Sequence, residues 1–342
     1  MFGVELSMIW AVLIAVAVFL YVALDGFDLG VGILFPFAKD SRERDHMQAA
    51  IAPVWDGNET WLVLGGGGLF AAFPKAYAAL MPALYIPIFL MLLALIFRGV
   101  AFEFRHHGRG RGKTFWTAAF AGGSIVAAIA QGFVLGAFIQ GVNIVDGQFA
   151  GGAMDWLTPF SVLTAVSLVA GYALLGGCWL VFKTQGELYE RARKWVAQLA
   201  VLTALAMGAV SLATLGVDPR VTERWGVTMT SVDWSSFAVL APLPIAAAAI
   251  CFALWRRWKG APHILPYLLA VGLFLIGYLG LAVSLWPYIV PFAMTPADAA
   301  AADNALELML WGAIPMLPII LAYTAYVYWI FRAKVDDDAA YH

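Results

Sequence analysis

Nine stretches of this sequence run for about 20 residues or more with few charges or none, which is the length a helix needs to cross the hydrocarbon core of a bilayer. Hydropathy places them at 7–37, 55–74, 77–104, 115–140, 158–183, 193–215, 236–258, 263–290 and 304–332. The second is the weakest, being short and holding Asp56, Asn58, Glu59 and the run Gly65-Gly66-Gly67-Gly68. The chain reads as an all-α polytopic membrane protein, one transmembrane helical domain over residues 1–342. A β-barrel would alternate polar and apolar residues in segments of about 10, and no such pattern is seen. No internal repeat or Pro-rich linker stands out, and Leu6–Leu24 is too long for the apolar core of a signal peptide, so it reads as a retained first helix.

Composition removes the other classes. Of 342 residues 63% are hydrophobic and 12% charged, against about 25% charged in soluble domains. A soluble core would have to hide more apolar surface than one domain can, and disorder needs far lower hydrophobicity. A net charge of −2 offers no basic face to nucleic acid. Cys178 and Cys251 both lie in apolar runs, which gives neither a disulfide framework nor a cysteine metal site.

Orientation follows from the basic residues. Sixteen of the 20 Lys and Arg fall after the odd-numbered spans, in the groups Lys39 to Arg44, Arg105 to Lys113, Lys183 to Lys194, Arg256 to Lys259 and Arg332 to Lys334. The opposite side has Lys75, Arg220 and Arg224, and Arg98 sits within a span. By the positive-inside rule the N-terminus is outside (periplasmic) and the C-terminus cytoplasmic, which requires an odd number of crossings. The longest outer loop runs from 216 to 235, and the loop 143–158 carries Asp146 and Asp155 without a base.

Ionisable groups within the bilayer are expensive and are functional candidates by default. Asp25 and Asp28 stand three residues apart near the inner end of the first span and share a helix face. Asp56 and Glu59 repeat that spacing in the second, and Arg98 lies on the third. Four acids against one base leave an excess of negative charge, relieved by protonation, by water or by a partner chain. A row of coupled carboxylates suits a proton path. The plainer reading makes them interfacial helix caps, with Arg98 a structural counter-ion, the glycine run a close-packing surface, and Trp286, Tyr288, Tyr323, Tyr326, Tyr328 and Trp329 interface belts. The five histidines, His46, His106, His107, His263 and His342, fall in loops or at helix ends, and none stands mid-helix where a haem ligand would.

Three motifs carry a resemblance. The stretches Ala23-Leu24-Asp25-Gly26-Phe27-Asp28-Leu29-Gly30-Val31-Gly32, Pro53-Val54-Trp55-Asp56-Gly57-Asn58-Glu59-Thr60-Trp61-Leu62 and Phe97-Arg98-Gly99-Val100-Ala101-Phe102-Glu103-Phe104-Arg105 resemble subunit II of cytochrome bd-type quinol oxidases, within them the cyanide-insensitive branch. That resemblance implies a bacterial inner-membrane protein that ligates no haem itself. It implies a haem-bearing subunit I as heterodimer partner, with haem b and haem d, in a complex that oxidises quinol and reduces O2 to water. Small accessory subunits and a quinone held by this chain are further possibilities of the family. It also implies that Asp25, Asp28, Asp56 and Glu59 help deliver cytoplasmic protons, with Trp55 and Arg98 supporting them. The alternatives are a proton- or sodium-coupled secondary transporter, whose broken helices would be expected in paired halves, and a purely structural scaffold. The acids cluster in the first third with no matching set later.

Overall fold

The computed structural model describes residues 5–227, 232–256 and 263–335, apart from the side chain of Ser236. Arg257 and Lys259 of the basic tally, and His342, lie outside the described residues. The elements are α1 (Leu6–Leu34, continued by a 3-10 turn Phe35–Phe37), α2 (Ser41–Ala49), α3 (Trp55–Ala72), α4 (Pro74–Ala83), α5 (Tyr85–His107), α6 (Arg111–Gln140), β1 (Ile144–Val145), β2 (Gln148–Phe149), α7 (Pro159–Lys183), α8 (Gly186–Thr214), α9 (Pro219–Trp225), α10 (Trp234–Leu240), α11 (Pro242–Trp255), α12 (Leu265–Leu285), α13 (Pro296–Ala299) and α14 (Asp303–Ile330).

Eight of these segments are long and apolar enough to cross a membrane. The ninth expected crossing is helical as α3, but its acids, Asn58 and glycines keep it out of that set. The stretch expected as one span over 77–104 is two helices. Pro74 opens α4, Leu84 leaves helical geometry, and α5 starts only at Tyr85. Span 236–258 likewise divides at Ala241, where Pro242 starts α11 and supplies no backbone N–H.

Many of the basic residues expected in loops belong to helix ends. Arg111 and Lys113 lie in the first turn of α6, while Arg191, Arg193 and Lys194 lie on α8. Arg105 and Lys183 occupy last turns, where a cation meets the unpaired carbonyls and the negative end of the helix dipole. Helices continue past the apolar core until they find charged partners, so hydropathy places their ends early.

The core is organised around α1 and α7. α1 packs on α3, α6 and α7, and α7 in turn on α6, α8 and α12. The crossing of α1 and α7 is a backbone contact: a Cβ on Gly30 would stand 1.8 Å from the Tyr172 carbonyl oxygen, and one on Gly176 would stand 2.3 Å from the Gly30 carbonyl carbon. Small residues permit such approach where no hydrophobic force drives helices together. Phe27 and Trp179 stack beside it at 4.2 Å, and the Trp179 indole donates to the Ala50 carbonyl at 2.9 Å, tying α2 beneath the bundle.

α7 is mostly enclosed, with 72% of its span buried, whereas α14 has 6% and stands at the periphery. Hydrogen bonds tie α14 and the residues just after it to the bundle. The Trp10 indole donates to the Leu306 carbonyl, Tyr328 donates to Asn58, and the Lys183 ammonium donates to the carbonyls of Phe331 and Ala333. Outside the helices, Asp146 and Gly147 both take positive φ and turn β1 into β2. Asp-Gly suits a tight hairpin turn of that hand.

Candidate functional site

The site begins with helical spacing on α1. Gly26 and Gly30 lie one turn apart and give α1 its contact with α7. Asp25 and Asp28 lie three residues apart, and their bonds run to α5 and α3. One seven-residue motif therefore supplies both a packing face and a polar face. Asp25 is about 14 Å of helix from Leu34, at 1.5 Å per residue, so it lies well within the span.

Asp25 and Arg98 form an ion pair. The Arg98 Nη1 donates to Asp25 Oδ1 at 2.8 Å, and the two side chains are 1% and 0% exposed. Glu59 reaches the same guanidinium at 4.0 Å and is 28% exposed. The Arg98 guanidinium lies 5.9 Å from the centre of the Trp55 ring. That ring stacks on Phe102 at 5.0 Å and backs onto Gly99, so Trp55 fills the wall behind the arginine.

Asp28 is held separately. The Asn58 amide donates to Asp28 Oδ2 at 2.7 Å, and the Tyr328 hydroxyl donates to Asn58 Oδ1 at 2.8 Å. Asn58 bridges α1, α3 and α14, and this explains a polar residue in the weakest span. Tyr328, expected in an interface belt, instead faces the core. Its position on an apolar helix gave no signal of that, because only the fold brings α14 against α3.

Asp56 is the most exposed of the four acids. It is exposed on α3, one turn before Thr60, whose hydroxyl donates to the Asp56 carbonyl. On that outward face Gly57, Gly66 and Gly67 have open space around them, while Gly65 and Gly68 pack on Val18 and Ile14 of α1. The glycine run is thus half packing surface and half open surface.

Several buried polar atoms of the acid cluster have no hydrogen-bond partner among the described residues: Asp25 Oδ2, Asp28 Oδ1, and Arg98 Nε and Nη2. Buried polar groups are nearly always satisfied, by protein or by ordered water. Asp25 and Arg98 thus each keep buried polar atoms that their ion pair leaves unmet.

Sequence reasoning did not find Tyr21, Gln131 or Tyr172. Gln131 is the one glutamine within the apolar part of α6, and its amide donates to the Tyr21 hydroxyl while its carbonyl accepts from Tyr172, both at 2.7 Å. A glutamine in a membrane helix was a readable signal.

Towards the end carrying the basic residues, Arg105 is fully buried. It donates to Gln48 Oε1 and pairs with Asp45 Oδ1, both at 2.8 Å, while Gln48 donates to the Phe102 carbonyl at 2.7 Å. At the opposite end a cleft of about 330 Å³ is lined by Arg220, Arg224, Ser284, Trp286 and Tyr288. Arg220 pairs with Asp218 and donates to Tyr288, and Arg224 donates to the carbonyls of Val283 and Trp286. Among the described residues no three His, Cys, Asp or Glu side chains converge as metal ligands.

Comparisons with known proteins agree in one direction. The family model described as cytochrome bd terminal oxidase subunit II matches residues 6–331. The chain is 31% identical over 374 residues to the cytochrome bd-I ubiquinol oxidase subunit 2 of Escherichia coli K12, covering 97% of this chain and 96% of that one. It is 29% identical over 340 residues to the cytochrome bd ubiquinol oxidase subunit 2 of Bacillus subtilis strain 168, covering 96% of each. The solved bd oxidase structure from Geobacillus thermodenitrificans matches 95% of this chain and 98% of its own with a TM-score of 0.74, at 17% identity, where the likeness is one of fold.

Proposed function

Because the chain belongs to the cytochrome bd terminal oxidase subunit II family, we propose that it is the subunit of a quinol:O2 oxidoreductase that ligates no haem and helps carry protons to the partner that does. It is a protein of the bacterial inner membrane, part of a respiratory oxidoreductase complex. The ion-coupled transporter reading is dropped, since the relatives named above are oxidase subunits.

Among the described residues no histidine stands mid-helix where it could hold a haem. His46, His106 and His107 end helices α2 and α5, and His263 precedes α12. Haem b and haem d are therefore assigned to subunit I, and no step here runs through them. The outer cleft does not read as a quinone site either, because its arginines are engaged with Asp218, Tyr288 and backbone carbonyls and so pin the loop.

Reducing O2 to water consumes protons, which must cross low-dielectric protein to reach the reacting site. The observation that carries the reading is the run of acids from an exposed face to a buried pair. Asp56 stands on the open face of α3, Glu59 is partly exposed beside Arg98, and Asp25 and Asp28 are buried behind it. A proton arriving at Asp56 or Glu59 meets carboxylates it can neutralise, and Arg98 keeps the charge of Asp25 compensated between transfers. Trp55 and Phe102 close the apolar wall around them.

The same face suits subunit I. The outward side of α3 and α5 exposes Val63, Phe70, Phe89, Ile96 and Phe97. Lipid would satisfy these but not Asp56, and the open backbone at Gly57, Gly66 and Gly67 lets another helix approach closely. Docking there would hand the acid row directly to the haem-bearing chain. Accessory subunits, the cyanide-insensitive assignment, and the placing of the basic ends in the cytoplasm belong to this proposal too.

The test is Asp56→Asn in the co-purified complex, with quinol-dependent O2 uptake and the haem spectrum measured together. Turnover falls by about tenfold or more, as for loss of a proton-transfer group, with the haem bands intact. Full turnover removes Asp56 from the path and leaves the scaffold reading.

A further inference from the structure

We infer that Tyr21, Gln131 and Tyr172 are positioning residues for Asp25, forming a hydrogen-bonded chain that ends on a water held between Asp25 Oδ2 and Arg98. The inference rests on the proton-delivery reading and deepens it. It starts from direction: Tyr172 donates to Gln131 Oε1, and Gln131 Nε2 donates to the Tyr21 oxygen. That leaves the Tyr21 hydroxyl proton as the free end of the chain. Tyr21 precedes Asp25 by four residues on α1, so the two side chains lie on one face. The free oxygen of Asp25 and two free nitrogens of Arg98 are buried acceptors and donors in the same place. One water accepting from Arg98 and from Tyr21, and donating to Asp25 Oδ2, satisfies all three. Asp28 Oδ1 supplies a further acceptor, which connects the two carboxylates through water.

The chain is fixed from behind. The Tyr172 ring lies over Gly26, where a Cβ would come within 2.8 Å of its Cε1, and Tyr172 is fully buried. Tyr21 is 5% exposed and Gln131 8%. A side chain at position 26 would push the ring aside and with it the hydroxyl that donates to Gln131. The Asp-Gly pair 25–26 thus couples the acid to its orienting chain.

The charged and titratable groups facing Asp25 are Asp28 and Tyr21 from α1, Glu59 from α3, Arg98 from α5, Tyr172 from α7 and Tyr328 from α14, with Tyr267 of α12 facing Asp28. Hydrogen-bond donation from Tyr21 acts on this set by orienting the water toward Asp25 Oδ2.

The experiment uses the co-purified oxidase complex carrying Tyr21→Phe, Tyr172→Phe or Tyr278→Phe. Tyr278 is a control, because its hydroxyl donates to the Ala15 carbonyl and takes no part in the chain. Tyr21→Phe lowers quinol-dependent O2 uptake by about five- to tenfold, the effect of one hydrogen bond, and moves the midpoint of its pH profile. The haem spectrum stays unchanged, while the thermal midpoint falls somewhat because the buried Gln131 amide loses its acceptor. Tyr172→Phe moves the pH midpoint the same way by less, and is the variant to use if Tyr21→Phe does not assemble. An unmoved pH midpoint in assembled Tyr21→Phe or Tyr172→Phe, or an equal shift in Tyr278→Phe, overturns the inference. Asp25→Asn separates the two levels. Slow turnover there with a normal Tyr21→Phe overturns the positioning chain alone, whereas full turnover of Asp25→Asn overturns proton delivery through Asp25 and the chain with it.

Discussion

Arg98 Nη1, on α5, stands 2.8 Å from Asp25 Oδ1, on α1, with neither side chain more than 1% exposed. A buried pair of this kind is costly to break, because the remaining charge keeps its desolvation penalty and loses its compensation. Arg98→Ala should therefore destabilise the chain by about 3–5 kcal/mol, seen as poor assembly or a lowered thermal midpoint. The double variant Arg98→Ala with Asp25→Asn should be less damaging than the sum of the two single changes. A normally assembled, thermally unchanged Arg98→Ala complex would count against this account of the pair.

Glycine substitutions should divide by face. Gly30→Ala puts a methyl group on the Tyr172 carbonyl and has no side chain to displace, so it should cost at least the 1–3 kcal/mol of an overpacked core. Gly122→Ala and Gly208→Ala meet nothing within 4 Å and should be neutral or slightly stabilising through helix propensity. Gly66→Ala also meets nothing within this chain, so a loss of subunit association without a loss of its own stability would mark the docking face. Thermal unfolding of the isolated chain beside that of the complex decides each case.

Lys183 closes the end of α14, donating to Phe331 and Ala333, while the Val335 amide donates back to the Lys183 carbonyl. Lys183→Met keeps the stem and removes the donors, leaving carbonyls unmet at about 1–3 kcal/mol. The expected outcome is faster proteolysis just beyond Ile330, with the rest of the chain protected. Unchanged cleavage would show that the membrane, rather than the clamp, holds this end.

In the loop before α9, the hydrogen bond from Arg220 holds the Asp218 carboxyl below its usual range. A depressed folded value means that the stabilisation is complete above the ordinary carboxylate pKa and is lost as pH falls through the lowered one. Fluorescence of Trp225 and Trp286 should therefore stay constant from neutral pH down to about 4 and change below it. Arg220→Ala should move that change upward in pH.

How much of the site was legible depends on how each residue is held. Asp25, Asp28, Glu59 and Arg98 were readable because a charge in an apolar run is conspicuous whatever it touches, and these residues do lie close together. Asp56 was grouped with them by spacing, and the structure adds that it is the exposed member of the set. Tyr328 was misplaced because aromatic residues on a peripheral helix look alike in sequence, and only the approach of α14 to Asn58 separates one from its neighbours. Gln131 was overlooked although its amide in an apolar helix is a signal of the same kind as a charge, only weaker.

Length and apolarity alone determined that the chain is a helical membrane protein, because a bilayer admits few other ways to satisfy a backbone. The three motifs carried the resemblance to its family, which the match of the family model over residues 6–331 shows. Where a helix breaks was decided by local geometry at Leu84 and by proline at position 242, which hydropathy averages over. Tertiary structure decided which acid pairs with Arg98, which one Asn58 holds, and which orienting chain reaches Asp25. Those contacts join residues 30 to 270 positions apart in the chain, and only the packing of α3 and α6 on α1, of α5 on α6 and of α14 on α3 brings them within hydrogen-bond distance.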